Sequence, residues 1–191
     1  EKGLAHTLVN RIGHGIGYVT EDRKNAGIFA SMSVRENLTA SILKTLSSLG
    51  IISAEKEQAL LDKYTKSMNM KYATPAQPIS GLSGGNQQKF VLSRALATDC
   101  HVLILLEPTR GIDVGAKSEI YDLLKELAQN GMAILMVSSE LAELIANCHR
   151  IAVIFQGRQT GLLQQDDFDQ ELIMQCATGN RTFGMGGNDH E

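Results

Sequence analysis

The second half of the chain alternates apolar runs with amphipathic segments, which is typical of strands and helices that follow one another in an α/β fold. HVLILLEP, which begins at His101, is continuously apolar until Glu107 and predicts a strand buried on both faces of a parallel sheet. Residues 114–130 predict a helix with one apolar stripe, which Gly131 ends before the next strand. The stripe consists of Ile120, Leu123, Leu124 and Leu127.

The rest of the second half predicts two more strands with a hairpin, and two more helices. MAILMVS, residues 132–138, is one apolar run, and residues 150–156 are another, with GRQTGLL as its hairpin partner. Helices are predicted at 139–148 and, behind an acidic cap, at 166–178. The glycine-rich end, residues 179–191, is predicted to be loose.

The first half of the chain is dominated by helical signals. IGYVT, residues 16–20, predicts a short buried strand before the charged loop EDRKNAG. Ser33 and Glu36 have the spacing of a capping box, in which each side chain bonds a backbone amide of the other residue. The helix that follows is predicted to carry Leu38, Ile42 and Leu46 on one side.

Two further helices follow in this half. One begins at Ser53, and its apolar face is Leu60, Leu61, Tyr64 and Met68. TPAQPISG then connects it to a helix that runs from Gly84 to about Thr98. Together the elements predict an α/β fold: a mainly parallel sheet core with an inserted helical subdomain.

Composition and charge exclude several classes of protein. The net charge of -3 argues against a general nucleic-acid binder, because no basic excess is available to neutralise phosphates. Cys100, Cys148 and Cys176 lack CxxC spacing, which indicates reduced thiols in a cytosolic protein. No apolar run approaches the ~20 residues of a membrane span. No metal site is predicted, since metal-ligand spacing is absent among the five histidines, His6, His14, His101, His149 and His190.

Ser83, Gly84 and Gly85 stand where the third helix begins. The first amides of a helix have no acceptor within it, and the dipole places partial positive charge at that end. Glycines allow an oxyanion to lie against the main chain, so this helix N-terminus is a candidate phosphate site. We call the helix start at Ser83, Gly84 and Gly85 the mouth of the helix, and use the same word for the start of any other helix. The alternative is a glycine turn that only starts a helix, and SGG alone does not separate the two interpretations.

Four segments resemble, in order, the motifs of ATP-binding proteins of ABC transporters. GYVTEDRKNAGIF resembles the Q-loop segment, LSGGNQQK the signature loop, LEPTRGIDVGAK the Walker B motif with its D-loop, and ILMVSSEL the switch region. The resemblance covers nearly the whole chain. It is specific to the second, C-terminal nucleotide-binding half of ribose- and galactose-type sugar importer ATPases.

The resemblance implies an ABC-type nucleotide-binding domain in four segments. Residues 1–32 would end the core sheet and hold the Q-loop, and residues 33–98 would form the helical subdomain with the signature loop. Residues 99–165 would be the α/β core with Walker B, D-loop and switch region, and residues 166–191 a C-terminal helix with a flexible tail. Within the first segment, the resemblance implies that Asn25 to Met32 is the candidate surface for a membrane subunit.

In this family two nucleotide-binding domains form a sandwich, and each ATP lies between the phosphate loop of one and the signature loop of the other. The resemblance therefore implies that the signature loop contacts a nucleotide held by another domain. The implied contacts are Ser83, Gly84, Gly85 and Gln87. Lys89 and Arg94, further along the same helix, are interpreted as paired or solvated rather than catalytic.

Four more residues receive roles from the resemblance. Glu107 stands where the family has the general base that activates water, although a strand-ending acid is the alternative. Asp113 stands in the loop that crosses the domain interface, and it is also a good N-cap. Glu21 occupies the Q-loop glutamine position and Ser139 the switch-histidine position. The implied cofactors are ATP and Mg²⁺.

The chain departs from the family pattern at several places. It has no GxxxxGK[ST] segment, and the family has that phosphate loop upstream of the present residue 1, so we interpret the chain as a fragment. Leu106 replaces the aspartate that holds Mg²⁺ through water, and leucine offers no oxygen. Glu21 would repel phosphate unless it is metal-bound or turned away, and Ser139 cannot carry positive charge. These departures predict that the site built from this chain's own motifs is weak or inactive.

Two functions remain open. The first is an ATP-hydrolysing half of a sugar importer that supplies its signature loop in trans. The second is a catalytically silent coupling half that lets the other half hydrolyse ATP. A DNA-repair or chromosome-type ABC ATPase is disfavoured, since long coiled coils and zinc inserts are missing. The implied partners are the other half, the permease subunits and a periplasmic or extracellular sugar-binding protein, at the cytoplasmic face of the plasma membrane.

Overall fold

The computed structural model describes residues 15–48 and 50–184. Contacts divide the chain into two compact units, residues 1–137 and 138–191. The predictions for His6, His14, His190 and residues 185–191 of the glycine-rich end lie outside the described residues. The division into four functional segments remains a prediction.

The first unit combines a three-stranded parallel sheet with helices and one short hairpin. In chain order its elements are β1 (Ile16–Val19), α1 (Val34–Thr39), α2 (Leu43–Leu46), β2 (Ser47–Ser48), β3 (Ile51–Ile52), α3 (Ala54–Ser67), α4 (Gly84–Leu96), β4 (Val102–Leu106), α5 (Val114–Gln129) and β5 (Ala133–Val137). The sheet order is β1-β4-β5, with both pairs parallel. The predicted α/β fold with a parallel core is therefore confirmed.

One core joins the sheet to the helical region. Leu103 and Leu105 point from β4 into it and are fully buried. Phe90 and Leu92 of α4 and Leu38 of α1 belong to the same cluster. Burying a large aliphatic or aromatic side chain contributes about 1.5–3 kcal/mol. The apolar faces predicted for these segments thus converge on one interior.

The prediction that HVLILLEP is buried on both faces is wrong. Leu103 and Leu105 are buried, but the alternate residues Val102, Ile104 and Leu106 are only partly covered. On β5 the same face is open, with Leu135 56% exposed. An apolar run shows that both faces suit a covered environment, but it does not show which face the described residues cover.

The capping box is confirmed. The Glu36 amide donates to Ser33 Oγ at 3.2 Å, and the Ser33 amide donates to the Glu36 carboxylate at 2.7 Å. The prediction of a single helix beyond it is wrong, because α1 ends at Thr39 and a second helix, α2, begins at Leu43, after Ile42 in the N-cap position. Thr39 Oγ1 donates back to the Arg35 carbonyl at 3.1 Å, a bond that weakens helix continuation.

Three local features differ from the sequence expectation. The charged loop EDRKNAG contains a π-helical turn, Arg23–Gly27, whose first amides Asp22 caps. The hairpin of β2 and β3 was not predicted, because two-residue strands carry too little periodicity. The connector before α4 contains a 3₁₀ turn, Ile79–Gly81.

The second unit has its own small core. Its elements are α6 (Leu141–Asn147), β6 (Arg150–Phe155), β7 (Arg158–Gln164) and α7 (Gln170–Ala177). The predicted hairpin is confirmed, since β6 and β7 pair antiparallel. The helix predicted at 166–178 is instead a 3₁₀ turn, Gln165–Asp167, and then α7, which Asp169 caps through the Leu172 amide at 2.7 Å. Among the helices that the structure describes, none is long and apolar enough to cross a membrane.

Candidate functional site

Ser83 is the N-cap of α4 and is exposed to solvent. Its Oγ accepts the Asn86 amide at 3.4 Å and Asn86 Nδ2 at 3.1 Å. The first amides of α4 point away from the helix body at this end, where the dipole is positive. The mouth of α4 can therefore receive an anion from outside the chain.

The two glycines of the mouth have different surroundings. A Cβ on Gly84 would lie 3.0 Å from Arg23 Nη2 and 3.2 Å from the Gly111 carbonyl oxygen. Gly85 is buried, and a Cβ there would overlap the methyl group of Ala116 on α5. Both glycines therefore have reasons within this chain to lack a side chain, besides the predicted approach of a phosphate.

Gln87 lies inside the fold. Its Nε2 donates to the Ile79 carbonyl at 3.3 Å and to the Leu82 carbonyl at 3.1 Å. These bonds tie the 3₁₀ turn to the first turn of α4, and they hold the segment that presents Ser83. The geometry thus gives Gln87 a bracing role, and its predicted contact with a nucleotide stays untested.

Glu107 follows β4 in a left-handed backbone conformation, with φ of 46°. Such a conformation is uncommon for residues other than glycine and marks a backbone held by its neighbours. The Glu107 amide donates to the Val137 carbonyl at 2.8 Å, which pins this turn to the end of β5. Thr109, two residues on, is buried beside the Tyr121 hydroxyl at 2.9 Å. The loop after β4 is thus firmly positioned.

Asp113 caps α5 as the sequence predicts, because its Oδ1 accepts the Ala116 amide at 2.9 Å. Its Oδ2 would lie 3.7 Å from a Cβ on Gly85. The exposed Asp113 and the exposed Ser83 therefore stand at adjoining helix mouths. The structure brings these two predicted site residues together, at the starts of α4 and α5.

Glu21 makes an ion pair with Arg110 at 3.7 Å, and both side chains are exposed. An exposed pair of this kind stabilises by about 0–1 kcal/mol, but its geometry turns the Glu21 carboxylate toward a cation of its own chain. The ion pair therefore reduces the repulsion between the Glu21 carboxylate and a phosphate that the sequence led us to expect. Arg23 of the same turn donates to the Arg110 carbonyl at 3.5 Å.

Sequence reasoning missed the contribution of Arg23 and Arg110. Both lie inside the motifs that carry the resemblance, but 87 residues separate them, and no local pattern pairs them. Lys89 and Arg94 are paired, as interpreted: Lys89 with Glu119, and Arg94 with the Gly27 carbonyl and the Phe29 ring. Burial lowers the pKa of the Arg94 guanidinium.

The residues at the end of β4 do not fit Mg²⁺. Leu106 occupies the position where the family has its metal-holding aspartate. Its partner across the sheet, Val137, is also apolar, so neither side chain offers an oxygen to the metal. Among the described residues, no group of three or more acids, histidines or cysteines could hold a metal ion. No chemical step on this chain is therefore assigned to the metal.

Leu106→Asp is expected to tighten Mg²⁺ binding in the ATP-loaded full-length protein about tenfold, or ~1.4 kcal/mol. The carboxylate supplies the hard oxygen that leucine lacks. Leu106→Asn is the control, because its side chain has the size of aspartate but carries no charge, and it should give a smaller gain in Mg²⁺ affinity. An Mg²⁺ titration measures the affinity of each variant. Identical titration curves for the native protein and for Leu106→Asp would contradict the expectation.

Ser139 belongs to the second unit and is exposed. Beside it, Ser138 Oγ accepts the Glu140 amide at 3.0 Å and donates to Glu143 Oε2 at 3.3 Å. These bonds shape the segment that leads into α6. The role predicted for Ser139 stays a prediction.

A parallel sheet joined to a helical region, with Ser83 and Asp113 at adjoining helix starts, agrees with the fold and motif order expected of ATP-binding cassettes. The family model described as "ABC transporter" matches residues 4–110, more than half of the chain. The chain belongs to the ABC transporter family.

Curated relatives carry the name "Ribose import ATP-binding protein RbsA". The protein of Halalkalibacterium halodurans is 46% identical over 168 residues, which is 88% of this chain and 34% of that protein. The protein of Geobacillus kaustophilus is 48% identical over 166 residues, which is 87% of this chain and 34% of that protein. The chain thus spans about a third of the length of these relatives.

Solved structures show the same fold. An ATP-binding cassette of an ABC transporter, MJ1267, matches with a TM-score of 0.71 and 19% identity, over 90% of this chain and 68% of that one. A dimeric ABC transporter cassette, MJ0796, matches with a TM-score of 0.66 and 22% identity, over 80% of this chain and 64% of that one. At these identities the likeness is one of fold.

Proposed function

We propose that the chain is part of the ATP-binding component of an ABC-type carbohydrate importer, and that it supplies its signature loop in trans. Ser83 and the first amides of α4 would contact the γ-phosphate of an ATP held by the other nucleotide-binding half. ATP with Mg²⁺ is the cofactor of that partner site. The names of the relatives, which specify ribose import, support a sugar as the transported substrate.

One observation carries this proposal: Ser83 is exposed at the start of a 13-residue helix, whose second residue, Gly85, lies close to the exposed Asp113. Had the mouth been closed by the described residues, no ligand of a second domain could reach it. Gly84 is partly covered by Arg23 and the Gly111 carbonyl and Gly85 is buried, but Ser83 is exposed, and its exposure supports approach by a triphosphate. Glu107 is the candidate general base of this chain's own site.

The proposed partners follow from this role. They are the other nucleotide-binding half, the transmembrane permease subunits and, through them, a periplasmic or extracellular sugar-binding protein. The assembly would place the chain at the cytoplasmic face of the plasma membrane as a peripheral component, and nucleic acid is not among its ligands. We further propose that it is the C-terminal half of a longer protein that carries a phosphate loop.

A second candidate function is the catalytically silent coupling half. Specific observations favour it over hydrolysis at this chain's own motifs: Leu106 and Val137 leave no ligand for Mg²⁺, and Glu21 is paired with Arg110. Turnover by a Glu107→Gln variant of the full-length protein separates the two candidates, because this chain has no phosphate-loop motif and by itself is expected to bind little ATP under either of them. Native turnover by this variant supports the silent half, whereas a clear loss of turnover contradicts it.

The in-trans contact is tested by cysteine protection. Ser83→Cys places a reactive thiol at an exposed position. The native Cys100 and Cys176 are buried, and the half-buried Cys148 is replaced by serine in the background used. We expect ATP to slow its alkylation at least tenfold when the partner half is present, and not when the chain is alone. Ser53→Cys, at the N-cap of α3, is the matched control and should react at the same rate in all conditions. Equal alkylation of Ser83→Cys with and without the partner would refute the role.

A further inference from the structure

Arg23 joins three segments that lie far apart in the sequence. It begins the Arg23–Gly27 turn after β1, and its Nη1 donates to the Arg110 carbonyl in the loop after β4 at 3.5 Å. Its Nη2 would lie 3.0 Å from a Cβ on Gly84, the first residue of α4. The guanidinium is half-buried, and among the described residues its Nε has no hydrogen-bond partner although it is buried.

This position is electrostatically costly for a cation. The start of α4 carries the positive end of the helix dipole, so a guanidinium beside it gains nothing from the helix. Burial also lowers the pKa of Arg23, which reflects lost hydration of the charged form. The contacts that keep the side chain there must therefore be packing and its bond to the Arg110 carbonyl.

Those contacts enclose Gly84 from two sides. Besides Arg23, the Gly111 carbonyl oxygen and Ile112 Cγ2 would lie 3.2 Å and 3.4 Å from a Cβ on Gly84. Gly111 and Ile112 immediately precede Asp113, which stands beside Gly85. Arg23 thus lies at the junction between the mouth that carries Ser83 and the loop that carries Asp113.

We propose that Arg23 is a positioning residue, which fixes the mouth of α4 against the loop after β4 so that Ser83 and Asp113 are presented together. This inference rests on the proposed function of Ser83. It assigns Arg23 no contact with nucleotide. It also gives Gly84 a second reason to be glycine, because a methyl group there would press on the guanidinium at 3.0 Å and on the Gly111 carbonyl oxygen at 3.2 Å.

A thermal double-mutant cycle on this chain tests the packing. Gly84→Ala is expected to lower the melting temperature by about 3 °C in the native background and by a smaller amount, about 1–2 °C, beside Arg23→Ala. Arg23→Ala removes one of the groups that the new methyl group would press on, whereas the Gly111 carbonyl oxygen and Ile112 remain. Equal shifts in both backgrounds would overturn the proposed link between the two residues.

A kinetic arm tests the positioning itself in the full-length protein. Arg23→Ala is expected to lower kcat for ATP about tenfold with KM changed less than threefold, because misplacing a group by ~1 Å is costly while the partner half still binds ATP. Arg23→Lys keeps the positive charge but loses the planar guanidinium group, so its kcat should fall as much as that of Arg23→Ala. Arg35→Ala is the matched control: Arg35 is also half-buried, and within residues 15–48 and 50–184 its Nε has no hydrogen-bond partner, but it lies on α1 beside Gln58.

The outcomes separate this inference from the proposed function. Full activity of Arg23→Lys would show that charge suffices and would overturn positioning. A kcat of Arg23→Ala equal to that of the native protein would also overturn the positioning role, even if the thermal double-mutant cycle shows that Arg23 and Gly84 are coupled. Failure of cysteine protection at Ser83, with the cycle still coupled, would instead refute the in-trans contact and leave the packing of Arg23 on Gly84 intact.

Discussion

Ser83→Asp is expected to reduce ATP turnover of the assembled protein more than a hundredfold, whereas Ser83→Asn retains most of it. Asp and Asn are equally good N-caps and nearly equal in size, so both should preserve the start of α4. They differ in charge, and a carboxylate about 4 Å from a phosphate charge is repelled by roughly 4 kcal/mol at an effective dielectric constant of 20. Steady-state ATP hydrolysis by the full-length protein with its partners measures the difference.

Two controls limit the interpretation of this pair. Ser53→Asp adds the same charge at the N-cap of α3, away from the mouth of α4, and should leave turnover unchanged. Melting temperatures of Ser83→Asp and Ser83→Asn should agree within about 2 °C, which excludes loss of the helix as the cause. Equal turnover by Asp and Asn at residue 83 would mean that no phosphate approaches this position.

The sequence predicted the parts of the fold that depend on local signals. The capping box of Ser33 and Glu36, the N-caps at Ser53 and Asp113, and the hairpin of β6 and β7 all follow from short-range patterns, and all are confirmed. The break between α1 and α2 could not be predicted, because it depends on Thr39, which bonds the Arg35 carbonyl and Glu57 of α3. That second contact is a tertiary one.

The candidate site shows the same limit. The sequence identified Ser83 and Asp113 through the resemblance, and the structure places them at adjoining helix mouths. It could not indicate that Gln87 is turned inward or that Glu21 finds Arg110, because both depend on which loops meet in space. A motif specifies residue types, and the packing around it decides which side chains stay available to a ligand.

Gly85 illustrates how a motif residue serves packing, and it carries the second large prediction. Its Cα faces the first turn of α5, where a Cβ would overlap the Ala116 methyl group. Gly85→Ala is therefore expected to destabilise the chain by about 1–3 kcal/mol, although alanine favours helix formation. For a chain of this size the loss corresponds to a melting temperature lower by roughly 2–10 °C. Thermal unfolding followed by circular dichroism measures it.

Ala116→Gly decides whether this contact is the cause. It removes the methyl group that Gly85→Ala would meet, so the double variant should be no less stable than Ala116→Gly alone, which costs about 1 kcal/mol in helix propensity. Gly115→Ala is the matched control, since in the part of the chain that the structure describes a Cβ there would meet only Asp113 Oδ1, at 3.5 Å, an ordinary van der Waals contact. It should be neutral or stabilising. If Gly85→Ala lowers the melting temperature equally in the Ala116→Gly background, close packing of α4 on α5 does not explain why residue 85 is glycine. The explanation must then be the backbone conformation of this residue or the approach of an external ligand.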